Sequence, residues 1–193
     1  MHMMQKNGAF MFLLALTAIP TLQGSAVAQW DWDAANNRVL RLTPSAFSEL
    51  PSNLKKDLER RECTIPQTFI STQPHNVISG SFARNGQIDW AVLCSTGQVS
   101  SILIFWGGST KRTANIAAAP DKDYLQGIGD EKIGYSREII TIGRKYILEH
   151  YRAHGGPKPP PITHDGIENS FVEKASSVLY YHKGKWLTLT GAD

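Results

Sequence analysis

The 193-residue chain holds two cysteines and lacks any block of basic residues. It also lacks an apolar run long enough to cross a bilayer as a helix, which takes about 20 residues. The scarcity of basic clusters speaks against a nucleic-acid partner, because phosphate binding needs concentrated positive charge. The formal charge is only +3, a balance that favours no anionic or cationic macromolecule. No glycine-rich phosphate loop and no dinucleotide fingerprint occurs. No C-x-x-C pair marks a redox or zinc site. A serine nucleophile on a strained elbow needs the frame G-x-S-x-G; Gly80-Ser81-Phe82 and Gly108-Ser109-Thr110 do not supply it. The sequence therefore points to no cofactor.

The first segment is a different matter. Met1 to Asn7 carries Lys6 and no acid, and an apolar stretch follows from Ala9 to Ile19. Pro20 and Gly24 end it, and Ala26-Val27-Ala28 places small residues where a signal peptidase reads them. A charged start, a short apolar core and an A-x-A site make a secretory signal peptide. Cleavage is expected between Ala28 and Gln29. Residues 1–28 are read as the signal and residues 29–193 as one domain, periplasmic or secreted, with no membrane span. Its removal takes away one lysine and no acid. In an oxidising compartment the two cysteines, Cys63 and Cys94, are expected to pair as a structural disulfide.

Within the mature chain, Trp30-Asp31-Trp32-Asp33 either offers tryptophans for stacking on sugars or pins the terminus to the core. Thr43-Pro44 reads as the start of a short helix that ends before Pro51. Ser52 is expected to cap a second helix through Arg61, with Leu54 and Leu58 sharing its buried face. From Val77 the pattern changes. Val77–Phe82, Asp89–Cys94, Ser100–Trp106 and Thr113–Ala117 are short β-branched and aromatic runs parted by Gly and Asn turns, as in an antiparallel meander. Pro120 to Gly134 reads as a loop and Glu138–Ile142 as a strand. Residues 145–153 fit either a strand or a helix. Gly155 to Pro161 must be extended. Ser177–His182 and Lys185–Thr190 flank Lys183-Gly184 as a hairpin, with Tyr180 facing Leu187 and Val178 facing Leu189. The predicted class is α+β: short N-terminal helices packed on a mainly antiparallel sheet.

One stretch, Gly80-Ser81-Phe82-Ala83-Arg84-Asn85-Gly86-Gln87-Ile88-Asp89-Trp90-Ala91-Val92, resembles an FG-GAP or VCBS-type repeat. That family reads Gly-Asp-Phe-Asn-Gly-Asp-Gly-x-x-Asp-Leu-Ala-Val, and Gly80, Phe82, Gly86, Asp89, Ala91 and Val92 match it. The resemblance implies the first two strands of a blade, over about residues 77–106 when the third strand is included. The calcium-ligand positions depart: Ser81, Ala83 and Asn85 replace the family's Asp, Asn and Asp. Calcium takes six to eight oxygens, so no metal is expected at this turn. The whole chain resembles exported bacterial proteins that carry one such degenerate hairpin, a resemblance that assigns it no particular activity.

The residues with chemical potential lie late in the chain. His150 and His154 are spaced H-x-x-x-H. On a helix they would share a face and could hold zinc with His164 or Asp165; on a strand they stand too far apart. Tyr151 occupies the place of the glutamate in H-E-x-x-H, so a zinc-protease base is missing. His164, Asp165 and Glu168 could supply acid–base chemistry or simply form a turn. Two functions follow. One is an exported non-catalytic module that binds a protein, a glycan or an envelope component. The other is a small secreted hydrolase, possibly metal-dependent, that uses the His150–Glu168 region. Convergence of His150, His154, His164 and Asp165 in one cleft would favour the enzyme; an exposed aromatic patch without such a cleft would favour binding.

Overall fold

The computed structural model describes residues 30–192. The signal segment and its Ala28–Gln29 cleavage site lie outside the described residues. Helix α1 (Trp32–Arg38) opens the structure, and Asp31 caps it by accepting the Ala34 amide at 2.8 Å. This helix is an addition to the expected elements, formed by a seven-residue segment with few apolar positions whose start depends on the cap. Strand β1 (Arg41–Leu42) follows, then a 3-10 turn at Pro44–Ala46, helix α2 (Ser52–Arg60) and strand β2 (Ile65–Pro66), which pairs with β1. Pro51 occupies the cap position of α2, so Ser52 is its first helical residue rather than its cap.

The expected meander is present. Strands β3 (Val77–Gly80), β4 (Asp89–Thr96), β5 (Val99–Phe105) and β6 (Thr113–Pro120) pair antiparallel in chain order. The next segment corrects the expectation of a loop at 120–134. A 3-10 turn at Asp121–Tyr124 leads into β7 (Leu125–Gly127), which pairs with β8 (Ile133–Tyr135). A second meander then forms from β9 (Arg137–Ile142), β10 (Gly166–Phe171), β11 (Ala175–His182) and β12 (Lys185–Ala192). Helix α3 (Arg144–His154) interrupts it after β9. Helix therefore wins over strand at residues 145–153, and the helices are not confined to the N-terminal end. Gly155, at φ 73°, terminates α3 in a conformation that suits glycine. In the last hairpin Tyr180 faces Leu187; the ladder shifts between Leu179 and Ser177, so Val178 sits at a bulge, and both it and Leu189 are buried.

Alternation along the strands sorts the core into layers. Ala91, Leu93, Ile102 and Ile104 of the first sheet meet Ile139, Ile167 and Leu179 of the second in one apolar cluster, with Phe82 and Tyr135 among them. The opposite face of the first sheet, Val92, Cys94, Leu103 and Phe105, packs against Leu54 and Leu58 of α2. The opposite face of the second sheet, Ile142, Val178, Tyr180 and Leu189, packs against Ile147 of α3 and Ile162. The order is helix, sheet, sheet, helix. Central strands are thus buried on both faces, which explains the unbroken apolar runs in β4 and β5. A disulfide joins Cys63, just past α2, to Cys94 of β4, with Cα atoms 5.3 Å apart.

The sheets also meet edge to edge. Asn76, buried at φ 73°, donates its side-chain amide to the carbonyls of Pro66 (2.7 Å) and Arg137 (3.1 Å). Its Oδ1 accepts the Ile139 amide at 2.9 Å. Thr141 donates to the Ser79 carbonyl at 2.9 Å. Close approach fixes Gly80 here: a Cβ would stand 2.8 Å from the Phe82 ring and 2.9 Å from Thr141 Cγ2.

Candidate functional site

The turn from Ser81 to Asp89 uses its one acidic side chain internally. The Asp89 carboxylate is fully buried and accepts the amides of Ala83 (2.9 Å) and Gly107 (2.7 Å) and the side-chain amide of Gln87 (2.6 Å). Its oxygens bind the turn to the end of β5.

The predicted histidines and acids divide between two places. His150 and His154 lie on one face of α3 with ring centroids 4.6 Å apart, and Tyr146 precedes them with its ring 5.7 Å from His150. His164 stacks on Tyr180 at 4.4 Å, and its Nδ1 lies 2.9 Å from the Asp165 carbonyl. The Asp165 carboxylate accepts the Ser81 amide at 2.8 Å. His164 and Asp165 line a cleft of about 380 Å³ with Arg144 and Ser81, a cleft that His150 and His154 do not line. No group of three or more metal-ligating side chains is found among the described residues.

Glu168 stays with the α3 pair. It is buried on the outer face of the second sheet, close to Tyr146. Burial, and then the neighbouring carboxylate, push the Tyr146 phenol up to about 12. His150 is buried, with its Nε2 3.2 Å from Ser176 Oγ and its Nδ1 without a partner. Burial, then His154, lowers its pKa, and Glu168 opposes them. The neutral ring is thereby favoured. Glu168 and Ser176 line a cleft of about 370 Å³ on this face, together with Glu138, Ile140 and Ser170.

The inner face of the same sheet opens into a second groove, of about 480 Å³, between the ends of the two sheets. Tyr124 and Phe171 stack in it with centroids 5.7 Å apart. Asn169, Ser177 and Asp123 also line it. Beneath lies Arg137, fully buried. Its Nε donates to Asn169 Oδ1 (3.0 Å), and its Nη1 donates to the Ser100 carbonyl (2.9 Å) and hydroxyl (3.0 Å). Its Nη2 donates to the Ala117 carbonyl, and its guanidinium lies 4.6 Å from the Tyr124 ring centre. Arg137 thus ties β5, β6 and β10 together under the groove. The same buried layer holds Tyr135, whose phenol is 3.3 Å from Ser100 Oγ; burial raises its pKa, and the contact with Ser100 opposes that shift. Beside it Asp121 is fully buried, with Oδ2 accepting Arg41 at 2.7 Å and Ser95 at 2.6 Å.

Comparison with family models, with curated proteins and with solved structures gives no match. The site must be read from its own geometry. Arg137, Asn169 and Tyr124 were not among the predicted site residues. A usable signal was present: Arg137 stands two residues before Ile139, and period-two alternation puts both on the core-facing side. A charged residue at an inward position of a buried strand marks a polar site in the core.

Trp30 and Trp32 stack on each other at 6.1 Å and are each 42% exposed. Trp30 also lies against Gly127, where a Cβ would be 3.5 Å from its ring. The pair both anchors the start of the described chain and presents aromatic surface. A further aromatic group forms on the second sheet, where Trp106 stacks on Trp186 at 5.8 Å and meets Tyr181 at 4.8 Å.

Proposed function

We propose that this protein is an exported, non-catalytic binding module for a glycan of the cell envelope. The observation that carries the reading is the 480 Å³ groove with its stacked Tyr124–Phe171 pair and its amide, hydroxyl and carboxylate rim. Ligand sites are concave, mostly apolar and fitted with a few placed polar groups, in the range of about 300–1,000 Å³. Aromatic faces with such a rim suit a sugar ring. The separation of His164 and Asp165 from His150 and His154 supports binding over metal-dependent hydrolysis. The exposed Trp30–Trp32 pair supplies further surface for a long saccharide. Export rests on the signal sequence, and the Cys63–Cys94 bridge is consistent with it.

Affinity electrophoresis through gels cast with envelope polysaccharides tests the proposal. Retardation that Phe171→Ala abolishes supports it; unretarded migration in every gel overturns it. Amino-terminal sequencing of protein recovered outside the cytoplasm should begin at Gln29.

One observation favours the second reading, a hydrolase. Ser176 Oγ lies 3.2 Å from His150 Nε2, with Glu168 close enough to influence the imidazole. Labelling of Ser176 by a fluorophosphonate, lost in His150→Ala, would establish that reading in place of the first.

A further inference from the structure

We propose that the groove is specific for an acidic saccharide, and that Arg137 is held without a protein counter-ion so that its charge attracts the sugar's carboxylate. The inference rests on the binding reading above and names its ligand class. Ionised side chains are almost never fully buried unless paired, because desolvating a charge is costly. Arg137 is fully buried, and none of the ion pairs among the described residues includes it. Its hydrogen-bond acceptors are two carbonyls, a hydroxyl and an amide oxygen, all neutral. They take up four of its five N–H donors and leave the net charge in place. The nearby Asp121 is committed to Arg41. A positive charge desolvated beneath an open groove acts through little screening on whatever occupies that groove.

The residues between Arg137 and the groove pass that charge outward. A guanidinium Nε–H can only donate, so Asn169 must present its oxygen to Arg137. Its Nδ2 then remains as a donor pair with no protein partner among the described residues, on a side chain that lines the groove. Tyr124 has the Arg137 guanidinium 4.6 Å from its ring centre and Phe171 stacked against it at 5.7 Å. Lys174 Nζ lies 4.9 Å from the Phe171 ring centre, and this lysine is exposed. A sugar ring can take its place over Phe171 and receive its ammonium on a carboxylate. The opposing charge in the groove lining is Asp123, which is exposed and screened by water. Lys174 reaches Phe171 from the neighbouring cleft, which it lines with Glu168 and Glu173, so the charge set against Asp123 in the groove is the desolvated Arg137.

The test uses calorimetry on the mature chain with oligosaccharides of galacturonic acid or sialic acid, each beside its methyl ester. The ester removes the charge and keeps the ring. Binding of an acid form at least tenfold tighter than its ester, weakened by added salt, is expected. Lys174→Gln should weaken the acid form about threefold without altering the melting temperature. Asn169→Asp is the decisive variant, because it gives Arg137 the missing carboxylate at nearly constant shape. It should leave the melting temperature equal or higher while acid binding falls at least tenfold. Equal affinity for acid and ester overturns the inference and leaves the binding reading standing. Failure of every acid and ester to bind overturns the inference, and the binding reading falls with it only if every envelope-polysaccharide gel also leaves migration unretarded. An Asn169→Asp protein that melts lower and binds acid as well as the parent also overturns the inference.

Discussion

The two meanders are built alike and finished differently. Each is a four-stranded antiparallel sheet with a helix on its outer face. The layer between α2 and the first sheet is built from apolar side chains, and a disulfide closes it. Its one buried acid, Asp57, pairs with Arg60 and with Arg61 (2.6 Å) at the helix surface. The layer between α3 and the second sheet retains His150, Glu168 and Ser176 beside its apolar residues. The inner end of that sheet holds Arg137 and Asn169. Polar groups buried with incomplete partners cost stability. Among the described residues His150 Nδ1 and Trp186 Nε1 lie in the second half and Asp121 Oδ1 beside the first sheet, so such groups are weighted toward the second sheet without being confined to it.

The sharpest way to break this contrast is to open the disulfide. Replacing Cys63 and Cys94 with alanine should cost roughly 3–4 kcal/mol, the chain-entropy value for a loop of this length. Thermal melting should fall by several degrees or more, while ligand retention by the folded fraction stays unchanged. A loss of retention without a loss of stability would move function to the first sheet. Asp57→Asn comes next and should cost about 1 kcal/mol, kept small because both arginines are partly exposed. A chemical-denaturation curve reads it.

Acid should separate the two halves further. Burial alone would raise the Asp57 pKa, but hydrogen bonds and charge from Arg61 and Arg60 hold it below the usual 3.8. Its contribution is intact above that value and is lost only as pH falls through the depressed one. His150 is lowered from 6.5 by burial and by His154. The unfolded chain takes up this proton first, so stability declines as pH falls below about 6.5. Melting temperatures measured from pH 7 to pH 5 should fall less steeply in His150→Gln. Equal slopes in variant and parent would remove His150 from the argument.

The smallest expected effect is none. Calcium should leave the Ser81–Asp89 turn unchanged, because the Asp89 oxygens already accept three N–H donors. Micromolar binding by calorimetry that Asp89→Ala abolishes would refute this.

The meander of the first sheet was legible because its strands are short, β-branched and punctuated by glycine, and because Leu54 and Leu58 mark one helical face. The 145–153 segment was ambiguous by periodicity. Its contacts decide it, since Ile147 and His150, three apart, both turn inward. Helix α1 escaped notice because a single aspartate cap carries its start. Strands β7 and β8 are three residues each, too short for a period to show. The site was legible only in part. Spacing put His150 and His154 on one face, and nothing local linked either to Ser176. Arg137 meets Ser100, Ala117 and Asn169 across long stretches of chain, and such convergence is a property of the fold.

The stitch at Asn76 bears on how the molecule avoids sticking to itself. Strands β3 and β9 are each an outermost strand of their sheet, and an outermost strand offers unpaired backbone groups to any passing chain. Here each shields the other, with Asn76 supplying the Ile139 amide and the Arg137 carbonyl with partners that no neighbouring strand provides. The shield closes only when residues some sixty positions apart come together, and the entropy of closing so long a loop delays that event. Until then both edges lie open, and any chain whose meanders had formed without joining would present them to its neighbours.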